Sequence, residues 1–259
     1  IGGVTVTHAT LHNMDEIKRL DVRMGDTVVV ERAGDVIPAI TGVLLRMRPK
    51  NAKEFHMPKH CPMCGSSVER QEARSKKQEA RETKKALSAG YYCTNKNCAA
   101  VQRKRLHYFV SKKAFDISGL GPKIIIALLE NGLIRDAADL FLLKQEDVEQ
   151  VERFAEKSAS NLIAAIHAKK MIELPRFIFG LGIHHVGEET AIDLARHFGS
   201  LKKLEQASLE ELEKIRDIGG VVAQSIYEWF REKKNAEFLR KLEKVGLRVK
   251  SQISNLKSQ

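Results

Sequence analysis

The sequence predicts a multidomain α+β chain made of a partial β-barrel, a small four-cysteine module and an all-α array of helical hairpins. Three observations carry this. The only four cysteines stand in two tight pairs, Cys61-Pro-Met-Cys64 and Cys93-Thr-Asn-Lys-Asn-Cys98. Ahead of them lie short β-branched runs bounded by turn formers. Behind them apolar residues recur at i, i+3 and i+4, with a repeated glycine punctuation. The implied boundaries are 1–50 for the partial barrel, 51–113 for the cysteine module with a charged insertion, 114–248 for the helical array and 249–259 for a polar tail.

In the first segment Val4-Thr5-Val6-Thr7, Thr27-Val28-Val29-Val30 and Ile40-Thr41-Gly42-Val43-Leu44 read as strands. Asp15–Leu20 reads as a short helical turn, and Met24-Gly25-Asp26 and Ala33-Gly34-Asp35 as tight turns. Too few strands are present to close a barrel, and Ile1-Gly2-Gly3 reads as the middle of a sheet.

Cys-x-x-Cys and Cys-x4-Cys deliver thiolates in pairs from two short turns, as a tetrahedral zinc site requires. Cys61, Cys64, Cys93 and Cys98 are therefore the expected ligands of a closed structural zinc finger. Two other readings stay open: a chance pairing of inert cysteines, and a redox pair, which would leave the second pair idle. Between the pairs Gln71–Lys85 holds a near-duplicated charged run, expected to form a solvated helix or a loop that protrudes. The formal net charge of +11 is concentrated here. Lys and Arg outnumber Asp and Glu by 13 to 4 in residues 61–113, against 9 to 7 before and 22 to 22 after. Such a basic region suits a polyanion such as nucleic acid, or serves only to keep an insertion soluble.

From Phe115 onward, Ile124–Leu129, Asn161–Ile166, Ala191–Phe198 and Val222–Phe230 have helical periodicity. Gly119-Leu-Gly-Pro-Lys-Ile-Ile125, Arg153-Phe-Ala-Glu-Lys-Ser-Ala159, His185-Val-Gly-Glu-Glu-Thr-Ala191 and Asp217-Ile-Gly-Gly-Val-Val-Ala223 repeat one pattern, with key positions 121, 155, 187 and 219 spaced 34, 32 and 32 apart. Each unit reads as helix, hairpin turn, helix. Glycine at the turn is expected to allow positive φ and close backbone approach, and the next helix offers amides and a positive dipole end to an anion. A purely structural bundle with glycine caps is the alternative. In the second copy Arg153 and Ala155 replace glycines, so that copy is expected to be structural. His184, His185 and Asp217 are turn residues in the third and fourth.

No apolar run approaches the ~20 residues of a membrane helix, and no secretory signal opens the chain. Thiol cysteines fit a reducing compartment. The expectation from composition is a bacterial or archaeal cytoplasm with no membrane partner, narrowed to a bacterial, nucleoid-associated protein by the resemblance given next.

Taken together, these residues resemble a known family. Ala9-Thr-Leu-His-Asn13, Gly25-Asp26 and Arg32-Ala-Gly-Asp-Val-Ile-Pro38 resemble the OB-fold domain of bacterial NAD-dependent DNA ligases. The four-cysteine finger, leading into His107-Tyr-Phe109 and Asp116-Ile-Ser-Gly-Leu-Gly121, is similar to that family's zinc finger. Leu181-Gly-Ile-His-His-Val-Gly-Glu188 is similar to its helix-hairpin-helix domain. The resemblance runs from Ile1 to about Leu247. It implies a partial OB-type β-barrel lying in the minor groove beside a nick, with Arg32, Val36 and Ile37 on the DNA, and Gly119, Gly121, Gly187 and Gly219 approaching phosphates. Read without the family, Arg32 is a strand-end cation and Val36-Ile37 a core pair.

The partner implied is nicked double-stranded DNA, and the reaction is phosphodiester bond formation in replication and repair. Zinc would be structural, with NAD and magnesium expected only for the complete ligase. The family's Lys-x-Asp-Gly adenylation motif does not occur in these 259 residues, and neither do its NAD-contacting and BRCT segments. No catalytic residue is therefore assigned in this chain. On its own it is expected to be inactive, with a separately encoded adenylation domain as a partner. A non-catalytic, structure-selective DNA-binding module is the alternative.

Overall fold

The computed structural model describes residues 5–33, 37–72, 87–95, 98–152 and 154–251, with the backbone alone at 32, 33, 37, 71, 72, 87 and 88. The chain forms two compact units, Ile1–Lys96 and Asn97–Gln259.

The first unit opens in extended chain. Residues 5–7, expected in a strand, belong to none. β-Branched residues favour extended backbone but do not supply a partner, and the first bridge made is Thr10 to Ala39. Helix α1, Met14–Leu20, starts where the sequence places it, because the Asn13 carboxamide accepts from the Asp15 and Glu16 amides at 2.9 and 3.0 Å. Strands β1 (Arg23–Met24), β2 (Val28–Ala33), β3 (Ile37–Val43) and β4 (Lys53–Glu54) follow. β2 and β3 form an antiparallel hairpin with an irregularity at Val29/Val30, and β1 pairs with β4. The expected turn at Gly25 is present, with φ +96°. Beside it Asp26, whose side chain is solvent-inaccessible, receives both Arg48 nitrogens at 2.8 and 2.9 Å and the Arg23 amide at 2.8 Å. Asp26 is thus an anchor between the turn and the segment after β3. Among the described residues the strands form separate two-stranded sheets and close no barrel. Among the described residues of this unit only Met14 and Cys61 are buried apolar side chains.

Strands β5 (Val68–Glu72) and β6 (Leu87–Cys93) then pair antiparallel, with Glu72 opposite Leu87. The charged segment of 71–85 is therefore carried between the arms of a β-hairpin that the sequence reading did not anticipate. Residues 73–86 lie outside the described residues.

The second unit is helical: α2 Ala99–Val110, α3 Pro122–Glu130, α4 Gln145–Glu149, α5 Glu156–His167, α6 Leu174–Gly180, α7 Glu188–Phe198, α8 Leu201–Gln206, α9 Leu209–Glu213, α10 Gly220–Arg231 and α11 Lys233–Lys244. Two short parallel strands, β7 (Met171–Glu173) between α5 and α6 and β8 (Arg248–Lys250) after α11, tie the middle of the array to its end. All four predicted periodic segments fall inside helices. Their apolar stripes meet in one core, centred on Phe109, Phe115, Phe141 and Phe177; the Phe109 and Phe115 rings stack at 3.8 Å. Lys241 of α11 bonds Asp136 at 2.8 Å and also reaches Asp139, tying the last helix to the segment after α3. No helix among the described residues is long and apolar enough to cross a membrane.

Candidate nucleic-acid interface

The four sequence repeats are four equivalent hairpins: α2–α3, α4–α5, α6–α7 and α9–α10. Each turn is closed by an amide donating to the carbonyl three residues earlier. These bonds are Leu120 to Ile117 (3.3 Å), Phe154 to Val151, Val186 to Ile183 and Ile218 to Ile215 (3.1 Å each). The residue after each turn is the N-cap of the second helix: Gly121, Ala155, Gly187 and Gly219. Four residues on, Ile125, Ala159, Ala191 and Ala223 donate to the N-cap carbonyls and are 0% exposed. Each hairpin is therefore plugged into the core at both ends of its turn and again one helical turn later. Ser118-Gly119, Glu152, His184-His185 and Arg216-Asp217 stand exposed at the tips.

The backbone reverses one expectation. Gly121, Gly187 and Gly219 have φ of −78°, −87° and −79°, values open to any residue. Positive φ falls instead two residues earlier, at Gly119 (+83°), His185 (+67°) and Asp217 (+64°). The turn type demands it at that third position, and only the first copy meets the demand with glycine. His185 and Asp217 carry backbone strain that the buried flanks Ile183, Val186, Ile215 and Ile218 hold in place. Arg153 lies outside the described residues.

Glycine at 121, 187 and 219 thus answers neither to backbone conformation nor to packing, because a Cβ built at each meets nothing within 4 Å. No side chain caps α3, α7 or α10. α1, α8 and α9 are capped by Asn13, Ser200 and Ser208, while the remaining helices also lack a side-chain cap, so what sets α3, α7 and α10 apart is glycine at the N-cap. Three helices thus present their first amides and positive dipole ends to open space, with no Cβ at the N-cap to hinder approach. The second copy differs. Ala155 carries a methyl group and its amide donates to Ser158 Oγ at 2.9 Å, whereas carboxylates stand in the first turn of both this copy (Glu156) and the third (Glu188, Glu189).

The four cysteine sulfurs lie within 4.8 Å of one another, Cys64 and Cys93 at 3.5 Å. Sulfurs about 2.3 Å from a tetrahedral ion are about 3.8 Å apart, so the set fits a single thiolate-bound ion and not a disulfide. Cys61 and Cys64 share a turn closed by the Gly65 amide on the Cys61 carbonyl (2.9 Å), with Gly65 at φ +71°. Cys93 ends β6, and Cys98 is the N-cap of α2. The gathering of all four disfavours a redox role for one pair and a chance role for the other.

Of the residues expected on DNA in the first unit, Arg32 and Ile37 belong to β2 and β3, where Arg32 pairs with Pro38 and Ala33 with Ile37. Val36 lies outside the described residues.

Comparison with known families matches this architecture segment by segment. The NAD-dependent DNA ligase OB-fold domain matches residues 1–52. A SAM-like helix-hairpin-helix tandem matches 112–168, the first two hairpins, and a helix-hairpin-helix motif matches 176–239, the last two. The four-cysteine cluster falls between them. Together these matches fit a C-terminal portion of an NAD-dependent DNA ligase. The chain holds an OB-fold segment of that family, a four-cysteine cluster suited to a metal and four helical hairpins, an arrangement that supports a DNA-binding portion. What the sequence left unread is the division of labour within each hairpin. The αL position is filled by His185 and Asp217, and the glycine two residues on is there for space.

Proposed function

We propose that this chain is the part of the ligase that clamps nicked duplex DNA while the phosphodiester bond is formed. The observation that carries the proposal is the set of three uncapped N-termini at Gly121, Gly187 and Gly219, where glycine serves no purpose inside the fold. Phosphates approaching there receive backbone amides, which read no base identity, as a ligase acting at any sequence requires. Gly119 shapes the first turn. Arg32 of β2, Ile37 of β3 and, from the sequence alone, Val36 are assigned to the minor-groove side of the clamp, by charge for Arg32 and by apolar contact for the other two. Zinc is the ion proposed for Cys61, Cys64, Cys93 and Cys98, in a structural role: four thiolates leave no open coordination position for chemistry.

Sealing needs an adenylated lysine, so the proposal places that residue on an adenylation module acting together with this chain, where NAD and magnesium would also be used. The test is to mix the zinc-loaded chain with the adenylation domain of an NAD-dependent ligase and a nicked duplex. Sealing well above that of either component supports the reading. A second reading is a structure-selective DNA-binding module without a part in catalysis, which the same three hairpin N-termini would serve equally. Tight nick binding with no stimulation of sealing would select it.

A further inference from the structure

Residues 114–259 carry no net charge, yet residues 97–113 hold five cations and no carboxylate: Arg103, Lys104, Arg105, Lys112 and Lys113. The whole charge excess of the helical unit is therefore on α2 and the chain that leaves it. α2 buries Leu106, Phe109 and Val110. Its opposite face is formed by Arg103, Lys104, Arg105, His107 and Tyr108, all exposed. A face that serves only solvation ordinarily mixes both signs. Elsewhere in this unit cations do sit beside carboxylates, as in half-buried Lys169 with Asp116 at 3.6 Å and exposed Arg196 with Asp193 at 3.8 Å. Among the described residues Arg103, Lys104, Arg105 and Lys112 make no ion pair.

Its place in the unit gives this face a purpose. Lys113 bonds Glu188 at 2.7 Å, and Glu188 is the first residue of α7, directly after the N-cap Gly187. Tyr108 stacks on Phe179 at 4.8 Å, and a Cβ on Gly182 would lie 3.9 Å from its ring. The cationic face thus adjoins the third hairpin.

We propose that the exposed face of α2 is a second phosphate-binding surface for the same duplex, acting through side-chain cations where the hairpins act through backbone amides. It rests on the reading of the chain as a DNA clamp and adds to it the residues that set its salt dependence. The two contact types are separable. A cation that neutralises a phosphate releases counterions and adds about 0.9 to the slope of log affinity against log salt, whereas a neutral amide adds affinity with little slope.

The experiment compares the zinc-loaded full chain with the variant Arg103→Ala/Lys104→Ala/Arg105→Ala, binding a fluorescent nicked duplex between 50 and 200 mM NaCl. Lys202→Ala/Lys203→Ala, on exposed positions of α8, is the control. The triple variant is expected to lose about 2.7 from the slope, so that the rise in salt weakens the parent about 40-fold more than the variant. The control should keep the parent slope. An unchanged slope in the triple variant, or an equal loss in the control, overturns the proposal. Should the triple variant melt early, Lys104→Gln alone must lose about 0.9, and an unchanged slope there overturns it equally. Failure of the clamp reading looks different: the parent chain would not bind duplex at all, or Gly187→Val would leave its affinity untouched.

Discussion

Replacing Gly187 and Gly219 with valine separates a residue kept for the fold from one kept for a ligand. At φ of −87° and −79° a β-branched side chain meets no backbone strain, and open space surrounds the new Cβ. The cost to stability is confined to a poorer N-cap, about 1 kcal/mol or less per site. The cost to DNA binding is larger. A phosphate held by the first amides of α7 or α10 would be pushed outward by the side chain, losing at least one charge-assisted hydrogen bond worth about 1.5–3 kcal/mol. Each hairpin should then lose about 10- to 150-fold in affinity. Thermal melts followed by circular dichroism and anisotropy titrations on a nicked duplex measure the two effects on one sample. Parent-like melting with that loss of affinity is the expected result. Early melting would show that glycine serves the fold, and unchanged binding would show that nothing approaches these termini; either refutes the reasoning.

Ala155→Gly should leave DNA affinity within about twofold, since Ser158 occupies the N-cap amide; a gain beyond tenfold by the same titration would contradict a structural role for the second hairpin. Cys64→Ser, or chelation, should release one zinc per chain and abolish cooperative melting of the cysteine module, where thiolate ligation supplies about 10 kcal/mol or more; metal analysis with melting checks this. Asp139→Asn tests the tie to α11. Burial opposes ionisation of Asp139, but Lys241 and the Arg135 and Asp136 amides outweigh it and hold the carboxyl below its ordinary range. The stabilisation, about 1 kcal/mol at this partly exposed pair, is fully present above about pH 4 and lost as pH falls through the lowered value. Parent and variant melts should therefore differ at pH 7 and converge near pH 2, and a difference that persists in acid would contradict the ion-pair account.

The helical array was legible because its signal is doubled. Apolar periodicity placed the helices, and the recurring glycine placed the N-caps at 121, 155, 187 and 219. The cysteine cluster was legible from spacing alone, since four thiolates in two short turns have few other uses. The β5–β6 hairpin escaped notice because Val68–Glu72 is mostly charged and Leu87–Cys93 contains Gly90, so neither has a strand's composition; pairing next to the cysteine turns forms it. Thr5–Thr7 erred the other way, with strand composition and no partner strand. The assignment of positive φ to the wrong glycine had a plain cause: His185 and Asp217 adopt the left-handed conformation that sequence reasoning reserves for glycine. The basic face of α2 was visible only as regional charge until the burial of Leu106, Phe109 and Val110 fixed its orientation.

Competition binding of the zinc-loaded chain to a nicked duplex, against the same duplex intact, tests the clamp most directly. At matched salt the account predicts a clear preference for the nicked duplex that persists as salt is raised, because the hairpin amides do not depend on counterion release. Equal affinity for the two duplexes, falling steeply and in parallel with salt, would mean that cationic surfaces alone hold DNA and would contradict the clamp.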